Sequence, residues 1–189
     1  MSNSRLVSTM RAARRIAGPV SLLIVYEDCL TGLLAKEMIN RVADSLKPEH
    51  NIRSVFCRFD VTNMKKTMDR FANDPKGAGI VVVSGYGHGK WPVAVQRCLR
   101  QWGNDGSPRS GMVALLVKTQ AHARATERRR NWLENIARTG GRGFMGKELD
   151  LDCLGRDLLY KHIFDAACKT TSLIEVALHP QAVVSAEGA

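Results

Sequence analysis

The sequence predicts an α/β protein: a three-layer α/β/α doubly wound parallel sheet of about five strands in the order 2-1-3-4-5, plus a C-terminal helical extension. Three observations predict it. Short, wholly apolar runs such as Ile80–Val83 and Met112–Val117 suit strands buried on both faces, as in a parallel sheet. Amphipathic helical segments alternate with those runs four or five times. Finally, the stretch Ile80-Val-Val-Val-Ser-Gly-Tyr-Gly-His-Gly-Lys-Trp-Pro92 reads as strand, glycine-rich loop and Pro-led helix in direct succession.

Taken in order, residues 1–19 carry Arg5, Arg11, Arg14 and Arg15 with no acidic residue, and composition favours a flexible basic tail over a targeting peptide. Gly18-Pro19 marks the start of the α/β domain, expected over 20–150. Ser21–Tyr26 is the first strand and ends in Glu27-Asp28. A helix follows from about Thr31 to Leu46, where Leu34, Met38, Val42 and Leu46 make one face and Lys47-Pro48 stops it. Ile52–Val61 is the second strand, and its more polar face predicts an edge position. A short helix is expected from Asn63 to about Ala72.

The Gly79–Ser84 strand leads through its loop to a helix from Pro92 to about Trp102, with Val95, Leu99 and Trp102 on one side. Gly103–Pro108 reads as turn chemistry. Met112–Lys118 is the fourth strand, followed by Thr119-Gln-Ala-His122. In the helix from about Arg124 to Arg138, Trp132, Leu133, Ile136 and Ala137 face inward, and Arg128, Arg129 and Arg130 largely outward. Gly143–Leu149 is the candidate fifth strand. Residues 151–180 form an amphipathic helical extension that either packs on the domain or forms a dimer interface, and 181–189 is a frayed tail.

Composition bounds the function. The chain has 189 residues, 44% hydrophobic and 24% charged, as in a soluble globular protein. Its apolar runs are far too short to cross a bilayer, so a cytoplasmic location and no membrane partner are expected. Cys29, Cys57, Cys98, Cys153 and Cys168 are odd in number and lack metal-ligand spacing, and read as reduced thiols. The net charge of +10 admits a nucleic-acid partner, although the arginines are spread and few aromatics interleave with them.

With this strand order, winding reverses between strands one and three, and a crevice opens at their carboxyl ends. The candidate site there comprises Glu27, Asp28, Thr31 and Gly32 from the first loop, Ser84, Gly85, Tyr86, Gly87, His88 and Trp91 from the third, and Thr119 alongside. Glu27 and Asp28 are candidate ligands for a divalent cation through hard oxygens, or Asp28 starts the helix. His88 reads either as a ring-contacting group or as an exposed loop histidine.

These residues resemble two occupants of one fold. Phosphorelay receiver domains carry an acidic pair after strand one, a phosphate-accepting aspartate after strand three, a hydroxyl after strand four and a lysine after strand five. Glu27-Asp28, Thr119 and Lys147 resemble the pair, the hydroxyl and the lysine, but Ser84 stands at the phosphoacceptor position, so aspartyl-phosphate chemistry cannot run. Flavodoxin-like flavoproteins are the second resemblance. Ser84–Pro92 looks like their flavin-ring loop, whereas Glu27–Gly32 puts two carboxylates where an FMN phosphate would sit. The chain is also similar over 20–150 to a group of small bacterial proteins without an established activity. They share a first strand ending Val25-Tyr26-Glu27-Asp28, the triplet Arg58-Phe59-Asp60, and a "VVVSxxGxGxxP" strand–loop–helix.

The resemblances imply first a non-catalytic, receiver-like regulatory or interaction module lacking the phosphoacceptor, with a protein partner or a homodimer through the C-terminal helix. The alternative is an FMN-binding flavodoxin-like protein or an NAD(P)H-dependent flavin reductase. A nucleic-acid-associated basic protein ranks third. FMN and Mg²⁺ are the cofactors these resemblances would bring.

Overall fold

The computed structural model describes residues 20–46, 52–59, 64–67, 79–105, 110–150 and 163–170. The expected tails, 1–19 and 181–189, lie outside the described residues, as does most of the C-terminal extension.

The sheet forms from the apolar runs. Strands β1 (Val20–Tyr26), β2 (Ile52–Arg58), β3 (Gly79–Tyr86), β4 (Gly111–Lys118) and β5 (Gly143–Asp150) are all parallel, in the order β2-β1-β3-β4-β5. Central strands β1, β3 and β4 are buried along almost their whole length, because helices cover both faces. Alternation sorts their side chains into two cores. Leu22, Ile24, Ile80, Val82, Val113 and Leu115 pack on one side with α1 (Cys29–Ser45). Their neighbours Leu23, Val25, Val81, Val83, Ala114 and Leu116 pack on the other, with α2 (Val93–Asp105) and α3 (Ala123–Thr139).

Residues 163–170 are helical, and Ile163, Ala166 and Ala167 belong to the first core. The helix expected over 63–72 is described only at 64–67, where Met64 enters the second core. The weakly patterned fifth strand is present along its full expected length. Glu148 joins it to β4 through Lys118, at 3.0 Å, and lies 3.8 Å from Arg130 of α3.

Several boundaries differ from the sequence reading, each for a local reason. Helix α1 starts two residues before Thr31, because Asp28 is its N-cap and Thr31 its third residue. Pro92 lies just before α2 and not in its first turn; its carbonyl accepts from the Gln96 N–H at 3.2 Å. That helix also runs through Gly103, Asn104 and Asp105, which read as a turn. Trp102 is buried and Gly103 rests against Ile136 of α3, so packing between the two helices outweighs the local turn preference. β2 is an edge strand as expected, exposed along most of its length, and its described part ends at Arg58.

Neighbouring β1 and β3 feed helices on opposite faces, so their carboxyl ends diverge at the expected switch point.

Candidate functional site

The first loop at the switch point is two residues long. After β1, Asp28 turns out of the sheet in extended conformation (φ −147°) and caps α1. Its Oδ1 accepts from the Thr31 N–H at 2.9 Å, and the Thr31 hydroxyl accepts in return from the Asp28 N–H at 2.9 Å. This is a capping box with threonine in the place usually held by Glu or Gln, and it satisfies helix donors that would otherwise face the crevice. The second carboxylate oxygen accepts from the Tyr86 hydroxyl at 3.0 Å. Burial acts to raise the Asp28 pKa, but the hydrogen bonds from Thr31, Tyr86 and Leu30 together outweigh it and hold the carboxyl below its ordinary value. Tyr86 is pushed the other way, upward, by burial, by its bond to Asp28 and by the charges of Asp28 and Glu27.

Glu27 points across the switch point to the third loop. Its Oε2 accepts from the Tyr86 backbone N–H at 2.8 Å and from the Trp91 indole Nε1 at 3.2 Å. Ser84, fully buried, donates its hydroxyl to the Thr31 carbonyl at 2.7 Å. Glu27, Asp28, Thr31, Ser84, Tyr86 and Trp91 thus form one network that ties the β1–α1 turn to the end of β3. The structure brings these six expected site residues together, and they spend their polar groups on one another.

That network decides how an FMN phosphate would fare at the first loop. A dianion needs free helix N–H groups and compensating positive charge. Here the Thr31 N–H already serves the Asp28 carboxylate, and Glu27 adds a second negative charge. The residues present do not fit the phosphate. A receiver-type cation site fares no better: Ser84 supplies no carboxylate, and among the described residues no group of three or more His, Cys, Asp or Glu side chains could hold a metal ion.

The third loop leans away from β1 and onto α3. Gly87 donates its N–H to the Val117 carbonyl at 2.8 Å, and a Cβ placed on it would lie 2.5 Å from the Thr126 Cβ, so only glycine allows this approach. Gly89 takes a φ of +78°, where other residues are strained. Arg129 of α3 fastens the loop by donating to the carbonyls of Tyr86, at 3.3 Å, and Gly89, at 2.6 Å. Its guanidinium lies 4.3 Å from the centre of the Trp91 ring. Burial lowers the Arg129 pKa, while the Glu27 carboxylate pulls it back up.

Trp91 is only 3% exposed and meets Phe59 and Trp132 edge-on, so it belongs to the core rather than to an open ring-binding surface. His88 stacks on His122, with ring centres 4.1 Å apart and planes 15° from parallel. Thr119 does not join the network; its hydroxyl hydrogen-bonds His122 Nδ1 at 2.9 Å. Gly32 packs under the Tyr26 ring and Gly85 against Glu27 and Trp91.

The overall arrangement matches solved structures. A flavodoxin from Streptococcus pneumoniae TIGR4 superposes with a TM-score of 0.52 at 13% identity, covering 79% of this chain and 99% of its own. An oxidoreductase from Corynebacterium diphtheriae superposes with a TM-score of 0.55 at 12% identity, covering 83% of this chain and 97% of its own. The fold is flavodoxin-like. No family model matches the sequence, and no curated protein matches it. At such identities the likeness concerns the fold alone. No described helix is long and apolar enough to cross a membrane.

The sequence reading missed Arg129. It placed Arg128, Arg129 and Arg130 together on an outward face, yet Arg129 and Arg130 are half-buried and only Arg128 is exposed. One signal was available: Arg129 lies three residues after Thr126 and three before Trp132, on the side of α3 that meets the glycine loop.

Proposed function

We propose that this chain is a non-catalytic interaction module built on a flavodoxin-like fold, with its switch-point crevice used to lock two loops together. The observation that carries this reading is Ser84. It stands where a receiver domain would hold its phosphate-accepting aspartate, is fully buried, and is bonded to the Thr31 carbonyl. A nucleophile needs an open approach and an activating base, and this hydroxyl has neither use for a substrate nor room for one. Contact through surfaces remains. Val55 and Phe56 on edge strand β2, Leu30 and Leu33 on α1 and Val93 on α2 are large apolar side chains at least 40% exposed, which suits contacts with a protein partner.

The test uses the ligands of both better-known occupants of the fold. Acetyl phosphate with magnesium, beryllofluoride, and FMN are added separately to ¹⁵N-labelled protein. The amide spectra stay unchanged around Glu27, Asp28 and Ser84 in each case. An aspartyl-phosphate adduct would refute the reading, as would FMN-induced shifts centred on Glu27–Gly32 and Ser84.

A further inference from the structure

Beside the locked crevice, on the α2–α3 side of the sheet, lies an open groove of about 420 Å³. That is within the roughly 300–1,000 Å³ usual for small-molecule sites. Its floor is the glycine loop, and its walls are the first two turns of α2 and the N-terminal half of α3. Among the described residues, four cations line it, Lys90, Arg100, Arg128 and Arg129, and no acidic residue does. We propose that this groove is a binding site for a nucleotide, with its phosphates held by the arginines and its base stacked on Trp132.

The charge argument rests on which cations are already engaged. Arg129 is committed to the Tyr86 and Gly89 carbonyls and shares the field of Glu27. Lys90, Arg100 and Arg128 make no salt bridge to any described residue, whereas Arg41, Lys118, Arg138 and Lys147 each have a carboxylate partner. Gathering like charges around one concavity raises the local positive potential, and a bound polyanion is what relieves it. Arginine in particular suits phosphate, since its planar fork can donate two parallel N–H bonds.

The ring argument rests on Trp132. It is half-buried and lines the groove, and Arg100 lies 5.7 Å from its ring centre. That is near the ~6 Å outer limit of a cation–π contact. A flat heterocycle laid on Trp132 displaces the exposed Arg100 side chain and frees its guanidinium for a phosphate. Gln96 lines the groove too; it donates its Nε2 to the Trp91 carbonyl at 2.9 Å, and its carboxamide oxygen is an acceptor for a base N–H. The Nδ1 of His88, buried at the groove and without a hydrogen-bond partner among the described residues, adds a further polar atom there. The site is separate from the Glu27–Ser84 network and stands whether or not that network is closed to ligands.

Isothermal titration of the full chain at low ionic strength with ADP, inorganic pyrophosphate and adenosine tests this. ADP binds with a Kd of about 100 μM or tighter, and more tightly than either fragment. Arg100→Glu and Arg128→Glu, both exposed positions that leave the fold intact, weaken ADP and pyrophosphate about tenfold or more. Trp132→Ala weakens ADP by about tenfold and leaves pyrophosphate unchanged. Absence of binding by both ADP and pyrophosphate at ~1 mM overturns the proposal. So does ADP affinity that neither charge reversal alters.

Discussion

Replacing Glu27 by alanine separates a structural carboxylate from a ligand-binding one. In the wild-type chain Oε2 accepts two hydrogen bonds, from the Tyr86 N–H at 2.8 Å and the Trp91 Nε1 at 3.2 Å. Hydrogen bonds to a charged acceptor contribute about 1.5–3 kcal/mol each when well sheltered, and partial exposure of Glu27 brings the pair to about 2–4 kcal/mol. Alanine loses both and leaves the indole N–H of a 3%-exposed tryptophan without an acceptor. Glutamine keeps an acceptor oxygen and gives up only the charge, at about 1 kcal/mol. With a urea slope of about 2 kcal/mol/M, Glu27→Ala lowers the unfolding midpoint by about 1–2 M and Glu27→Gln by about 0.5 M. Tryptophan fluorescence follows the transition, because Trp91 sits at the bond in question. Carboxylates kept for a ligand at the expense of stability behave oppositely, and their removal is neutral or stabilising. A midpoint for Glu27→Ala that is unchanged or raised would refute the structural role.

Three further outcomes follow from the same geometry. Because the folded-state pKa of Asp28 is depressed, its contribution is present above the unfolded value of about 3.9 and is lost as pH falls through the lower folded value. Asp28→Asn therefore flattens the acid limb of the stability profile below about pH 4, and Asp28→Ala costs about 1 kcal/mol at neutral pH through the lost cap, both read by denaturant titration. Gly87→Ala drives a methyl into Thr126 and costs about 2–3 kcal/mol, with Thr126→Gly in the same chain recovering part of that loss in a double-mutant cycle. Arg129→Ala releases the loop from α3, so amides from Gly87 to Lys90 exchange faster in hydrogen-exchange measurements while those of β1 stay protected.

Much of this molecule is written locally. The runs Leu22–Val25, Ile80–Val83 and Met112–Val117 are buried on both faces, which suits a parallel sheet covered by helices, and the helical stripes between them supply the covers. Right-handed crossovers then leave few strand orders, and the observed β2-β1-β3-β4-β5 is among them. Even the edge position of β2 was legible in its polar face. The switch point, and the residues that meet there, followed from that order.

What the tertiary structure alone decided is which polar groups spend themselves on one another. Glu27 and Trp91 are 64 positions apart, and Arg129 and Tyr86 are 43 apart. No local pattern encodes such pairs, because each depends on how two elements approach in space. Glu27 and Asp28 look alike in sequence as metal or phosphate neighbours, yet one braces Tyr86 and Trp91 and the other caps α1. The arginines of α3 look alike too. Packing turned Arg129 toward the loop and left Arg128 lining the groove, since adjacent helical positions point about 100° apart and only the neighbouring loop determines which of them meets it.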